Sequence, residues 1–116
     1  MQVQVNEDRS ITKDAEVYGT QNENKATLME FTFPEKYADF DKKIVFRGDN
    51  GSIVENIVDG EYYLKTNITQ YSNIYMYVWL TNGDTTQDFR TKTYNVNFFK
   101  NAQATAEIPA ATPISA

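Results

Sequence analysis

The sequence predicts an all-β fold: a single antiparallel β-sandwich of the immunoglobulin-like kind, with about seven strands. Aromatic residues that favour strands are abundant, eight Tyr and seven Phe in 116 residues. Apolar positions alternate with polar ones in short runs instead of recurring at helical spacing. Turn-forming pairs such as Asp59-Gly60 and Asn82-Gly83 interrupt those runs at the even spacing of a sandwich.

The organising stretch is Asn73 to Thr81, the most apolar run in the chain. As a strand it turns Ile74, Met76, Val78 and Leu80 one way and Tyr75, Tyr77 and Trp79 the other, so both of its faces call for cover. That identifies a central strand. Asn82-Gly83 then offers a tight reversal, and Thr91 to Phe99 supplies a half-buried partner with Lys92, Tyr94, Val96 and Phe98 on one side.

The other elements follow in chain order. Gln2 to Val5 alternates glutamine with valine, which suits either a short edge strand or an arm that pairs with a neighbouring subunit. Residues 1–13 are assigned to an N-terminal arm, residues 14–100 to the sandwich and residues 101–116 to a linker or partner-bound tail. Asp14 to Tyr18 forms a first full strand, and Ala26 to Phe33 a second, with Thr27, Met29, Phe31 and Phe33 on one face. Pro34 ends that strand and opens a helical turn in which Tyr37 and Phe40 meet, a short lid on a sheet edge. Lys43 to Arg47, Ser52 to Val58 and Glu61 to Lys65 are three further strands, the last two joined as a hairpin by Asp59-Gly60. Asn67 to Ser72 is a loop. After Phe99 the chain turns to small residues and proline, with Ile108 and Ile114 the only large apolar side chains, too few to offset the cost of ordering.

Composition limits function. Eleven basic against sixteen acidic residues give a net charge of −5, which repels phosphate backbones, and no Lys/Arg cluster offsets it; nucleic acid is not an expected partner. No apolar run approaches the ~20 residues of a membrane-spanning helix, and the first residues lack the pattern of a signal peptide, so synthesis and folding in a cytosol are expected. Without Cys or His the common nucleophile–base pairs and zinc ligands are missing. Asp39, Asp41, Asp49, Asp84 and Asp88 all fall in or beside turns, where carboxylates stay solvated and lack the burial that catalytic acids need, so neither acid–base catalysis nor a calcium site is expected. No cofactor is expected. Asn67-Ile68-Thr69 matches a glycosylation sequon, a chance match without a secretion signal.

One feature points to interaction. A sandwich buries one face of each sheet, so a strand apolar on both sides has a surplus face, and Tyr75, Tyr77 and Trp79 supply it. Three uses fit: a protein interface, cover by the chain itself, or a platform on which sugar rings stack. Val3 and Val5 in the arm and Ile108 and Ile114 in the tail complete the candidate interface residues.

The order of features resembles a known family. Asn24-Lys-Ala-Thr-Leu-Met-Glu-Phe-Thr-Phe-Pro, then Tyr37-Ala-Asp-Phe-Asp-Lys-Lys-Ile-Val-Phe, then Gly83-Asp and a closing Tyr94-Asn-Val-Asn-Phe-Phe-Lys-Asn-Ala with its Ala-Thr-Ala-Glu-Ile-Pro tail resemble the N-terminal domain of phage baseplate upper proteins. Related domains begin tail and head-fibre proteins of phages of Gram-positive bacteria. The resemblance, spanning about residues 14 to 109, rests on pattern and not on a catalytic signature. It implies a non-enzymatic structural protein of the virion that anchors a fibre or receptor-binding component to the baseplate or tail, commonly as a homotrimer among other virion proteins. A head-fibre or capsid-decorating role is the alternative within that resemblance, and a carbohydrate-binding module that meets host-surface sugars is the alternative outside it.

Overall fold

The computed structural model describes residues 1–100. Two sheets pack face to face, so the predicted β-sandwich is present, with more strands than expected. The smaller sheet has the order β2-β1-β4-β7, built from Ile11–Lys13, Gln2–Val5, Leu28–Thr32 and Glu61–Tyr63. The larger has the order β3-β10-β8-β5-β6, built from Val17–Thr20, Tyr94–Phe99, Ile74–Asn82, Asp41–Arg47 and Ser52–Asn56; β9, Gln87–Arg90, also pairs with β8. The sheets are mixed. Most pairs are antiparallel, but β1–β4 and β10–β3 are parallel, which departs from the all-antiparallel arrangement expected of an immunoglobulin-like domain.

Period-two alternation explains the core. Val3, Val5, Ile11, Met29, Phe31 and Tyr62 point inward from the smaller sheet. Tyr18, Ile44, Phe46, Ile53, Ile74, Met76, Val78, Leu80 and Val96 answer them from the larger one. β8 lies at the centre, as its apolar run requires, with the whole of β5 along one side. Its other side is shared: β10 pairs with its first half and β9 with its second. Between those two strands Thr91 takes over the ladder, its Oγ1 accepting from the Val78 amide at 2.9 Å while its own amide donates to the Val78 carbonyl at 3.0 Å.

The first thirteen residues correct the expected arm. β1 is an interior strand between β2 and β4, with Val3 1% and Val5 2% exposed. Its alternation is that of a strand covered on one face, and the chain's own sheet supplies the pairing sought in a neighbouring subunit. Val3 and Val5 are therefore core residues. Ile108 and Ile114, and the tail assigned to residues 101–116, lie outside the described residues.

Turns differ in detail from the sequence expectation. Asp59 and Gly60 have positive φ, 53° and 76°, and the Val58 and Glu61 backbones exchange hydrogen bonds across them, as a two-residue reversal requires. The flanking strands nevertheless do not form a hairpin, because β6 belongs to the larger sheet and β7 to the smaller. Gly60 fits by necessity, since a Cβ there would stand 3.1 Å from the Phe31 carbonyl oxygen. At the end of β8 the reversal takes four residues, 83–86, not two, because Asn82 and Gln87 still pair. Asn82 closes it with its side chain, Oδ1 accepting from the amides of Asp84 and Thr85. The expected helical turn after Pro34 is a 3₁₀ turn at Glu35–Tyr37, where Tyr37 and Phe40 meet edge to face at 5.2 Å. The loop from Asn67 contains a short helix, α1, Thr66–Thr69, which sends Ile68 into the core.

Candidate interaction face on the larger sheet

Register sets what stands around the aromatic stripe. β5 places Arg47 opposite Tyr75, Val45 opposite Tyr77 and Lys43 opposite Trp79. On the other flank β10 places Asn95 beside Tyr75, and β9 places Arg90 beside Trp79. The outward face thus reads across three strands as Arg47–Tyr75–Asn95 and Lys43–Trp79–Arg90, with Val45 and Tyr77 between. Val54 of β6 extends this centre, being paired with Val45 and, like it, withdrawn from solvent.

The three rings differ in what occupies their faces. Trp79 is held from both sides, Lys43 Nζ lying 5.6 Å and Arg90 Cζ 5.3 Å from the ring centroid, while its Nε1 donates to Asp88 Oδ1 at 2.7 Å. Arg90 also stands 3.9 Å from the Asp88 carboxylate, so indole, guanidinium and carboxylate form one linked unit. Tyr77 is half-buried. Tyr75 is 42% exposed and has neither a second ring nor a cation stacked on it among the described residues. The sequence thus located the stripe on one face and missed its flanking cations and asparagines, which depend on pairing register between distant segments.

The other candidates do not converge. Asp39 follows the 3₁₀ turn, Asp41 starts β5, Asp49 lies in the β5–β6 loop, Asp84 in the loop after β8 and Asp88 on β9. Among the described residues no group of acidic side chains is placed to hold a metal ion. The sequon is engaged in the fold: Asn67 Nδ2 donates to Glu55 Oε1 at 2.8 Å, and buried Thr69 donates through Oγ1 to the Glu23 carbonyl at 2.5 Å. Burial raises the pKa values of the Tyr18 and Tyr62 hydroxyls, with the Glu16 and Glu55 charges adding to it respectively; both are packing rings whose hydroxyls meet no hydrogen-bond partner among the described residues. Asp8, fully exposed, is held below the ordinary carboxylate range chiefly by the Ser10 hydroxyl and amide.

No protein-family model matches the chain, and no curated protein matches it. Among the described residues no helix is long and apolar enough to cross a membrane.

Proposed function

We propose that this protein is a non-enzymatic structural component of a phage particle, an attachment module that anchors a fibre or receptor-binding component to the baseplate or tail as one copy of a homo-oligomer. The observation that carries the proposal is the outward face of the larger sheet. Val45, Val54, Tyr77 and Trp79 form its middle, with Tyr75 at one end, and Lys43, Arg47 and Arg90 stand among them in a chain of net charge −5. Aromatic residues with arginine are the composition of protein interfaces. The positive charge of Lys43 and Arg47, Arg90 being already paired with Asp88, selects a partner surface with carboxylates around an apolar centre. Occupied ring faces at Trp79 favour a protein partner over a three-ring sugar platform. The resemblance to the anchoring domains of phage tail proteins supplies the setting.

The test is composition of the particle. Mass spectrometry and immunogold labelling of phage particles purified from cells that make this protein should find it in stoichiometric copy number at the tail. Tyr77→Glu, placed at the centre of the face, should fold and yet be missing from assembled particles. Absence of the wild-type chain from purified particles overturns the proposal.

A further inference from the structure

We propose a single-ring carbohydrate subsite centred on Tyr75, separate from the protein-docking role of the same sheet. A depression of 310 Å³ beside Tyr75 is lined by Asp49, Asn73, Asn95 and Asn97 together with Ser72, Ile74 and Val96. A second, of 250 Å³, reaches the same ring from the side of Arg47, Gly48, Asp49 and Thr93. Tyr75 is thus the wall common to both, and Asp49 stands at both as well.

The chemistry fits a pyranose. Its C–H-rich face is weakly positive and apolar, and meets the negative face of an aromatic ring that is neither stacked nor capped; Tyr75 is that ring, whereas Trp79 is already capped by Lys43 and Arg90. Its vicinal hydroxyls are paired donors and acceptors, which a carboxamide matches with one oxygen and one NH₂, and a carboxylate with two acceptors. Asn73, Asn95 and Asn97 are three such carboxamides at one depression, and none donates or accepts a side-chain hydrogen bond with another described residue. β10 presents Asn95 and Asn97 two residues apart on the outward face, so both amides project to the same side as Tyr75. The predominantly polar lining is that of a sugar subsite and differs from the apolar pockets that take lipids or drug-like rings.

The experiment is a ¹⁵N–¹H correlation titration of the full chain with methyl α-glucopyranoside, methyl β-galactopyranoside and N-acetylglucosamine, each separately. At least one should shift the backbone and side-chain amides of Asn73, Asn95 and Asn97 with a dissociation constant on the order of 1 mM, the weak affinity that one exposed ring and a few hydrogen bonds supply. Tyr75→Ala should weaken that binding at least tenfold, Tyr75→Phe should keep most of it, and Asn95→Ala should weaken it with the spectrum otherwise unchanged. Trp79→Phe should leave it intact. No localised shifts with any of the three sugars, shifts centred on Trp79, or binding that survives both Tyr75→Ala and Asn95→Ala would overturn the subsite. Presence in the particle is read by a different measurement, so each proposal can fail without the other.

Discussion

Replacing Val3 and Val5 by alanine measures how far the N-terminal strand belongs to the core. Both side chains are almost completely buried, Val3 opposite Phe31 and Val5 opposite Ile11. Each substitution removes two buried methyl equivalents, about 1.6 kcal/mol at ~0.8 kcal/mol per group, and the residual cavity raises this to about 2 kcal/mol. The two positions share one strand face, so their cavities partly merge and the double variant should lose about 3–4 kcal/mol. Against a total stability on the order of 5–15 kcal/mol the protein stays folded, but its urea midpoint should fall by about 1–4 M at an unchanged slope. The assay is urea denaturation followed by Trp79 fluorescence. This single tryptophan sits on the other sheet and so reports global unfolding. A stability loss of no more than the ~0.5 kcal/mol typical of surface substitutions would refute the assignment of β1 to the core, as would rapid amide exchange confined to residues 2–5.

Thr91→Val should cost about 1–3 kcal/mol in the same assay, since it strips the acceptor from a buried Val78 amide while keeping the side-chain shape. Tyr62→Phe should leave stability unchanged or raise it by about 1 kcal/mol, because the hydroxyl is buried without a partner among the described residues; a loss larger than that would reveal a bond to it. The Tyr18 and Tyr62 pKa values are raised on folding, so their contribution is fully present below the unfolded tyrosine value of about 10 and is lost as pH climbs beyond it; alkaline melts should show this loss, and it should shrink in Tyr18→Phe. Asp8 has the opposite sign: its folded pKa is depressed, so its small contribution is present above the unfolded value and fades as pH falls through the folded one. Carboxyl carbon shifts of Asp8 followed by NMR should titrate below those of an unstructured aspartate, and Ser10→Ala should move them part of the way back, because the amide of residue 10 still donates to the carboxylate.

The class of fold and the identity of its central strand were legible because alternation is a local property. Ile74, Met76, Val78 and Leu80 turn inward and Tyr75, Tyr77 and Trp79 outward, as period two dictates. Met29 and Phe31 against Glu30 and Thr32 follow the same rule. What stayed hidden depends on pairing. Gln2 to Val5 carries only two apolar residues, and nothing in those letters says that β4 lies alongside in parallel. Asp59-Gly60 announces its turn through positive φ, yet the letters around it do not say that the strands on either side diverge into different sheets. The asparagines beside Tyr75 were invisible for the same reason, since Asn95 and Asn97 read as the solvent side of a strand until β10 is set next to β8. Thr91 looked like one more outward residue, and its burial follows from the break between β9 and β10.

The interleaving of the two sheets along the chain bears on how the molecule comes to be folded at all. From β2 to β3, β3 to β4, β4 to β5, β6 to β7 and β7 to β8 the polypeptide passes from one layer to the other, so neither layer is a contiguous piece of sequence. The pairing of Val17 with Asn97, and the hydrogen bond from the Ile11 amide to the Tyr94 hydroxyl across 83 positions, join the beginning of the domain to its end. On a ribosome, β3 therefore emerges long before the strand it must lie beside. Closing such distant loops is slow, and a chain cut anywhere between β3 and β7 leaves both layers short of strands. Folding should accordingly be a late, all-or-none event on the scale of milliseconds to seconds, and no fragment lacking β10 should hold a sandwich by itself.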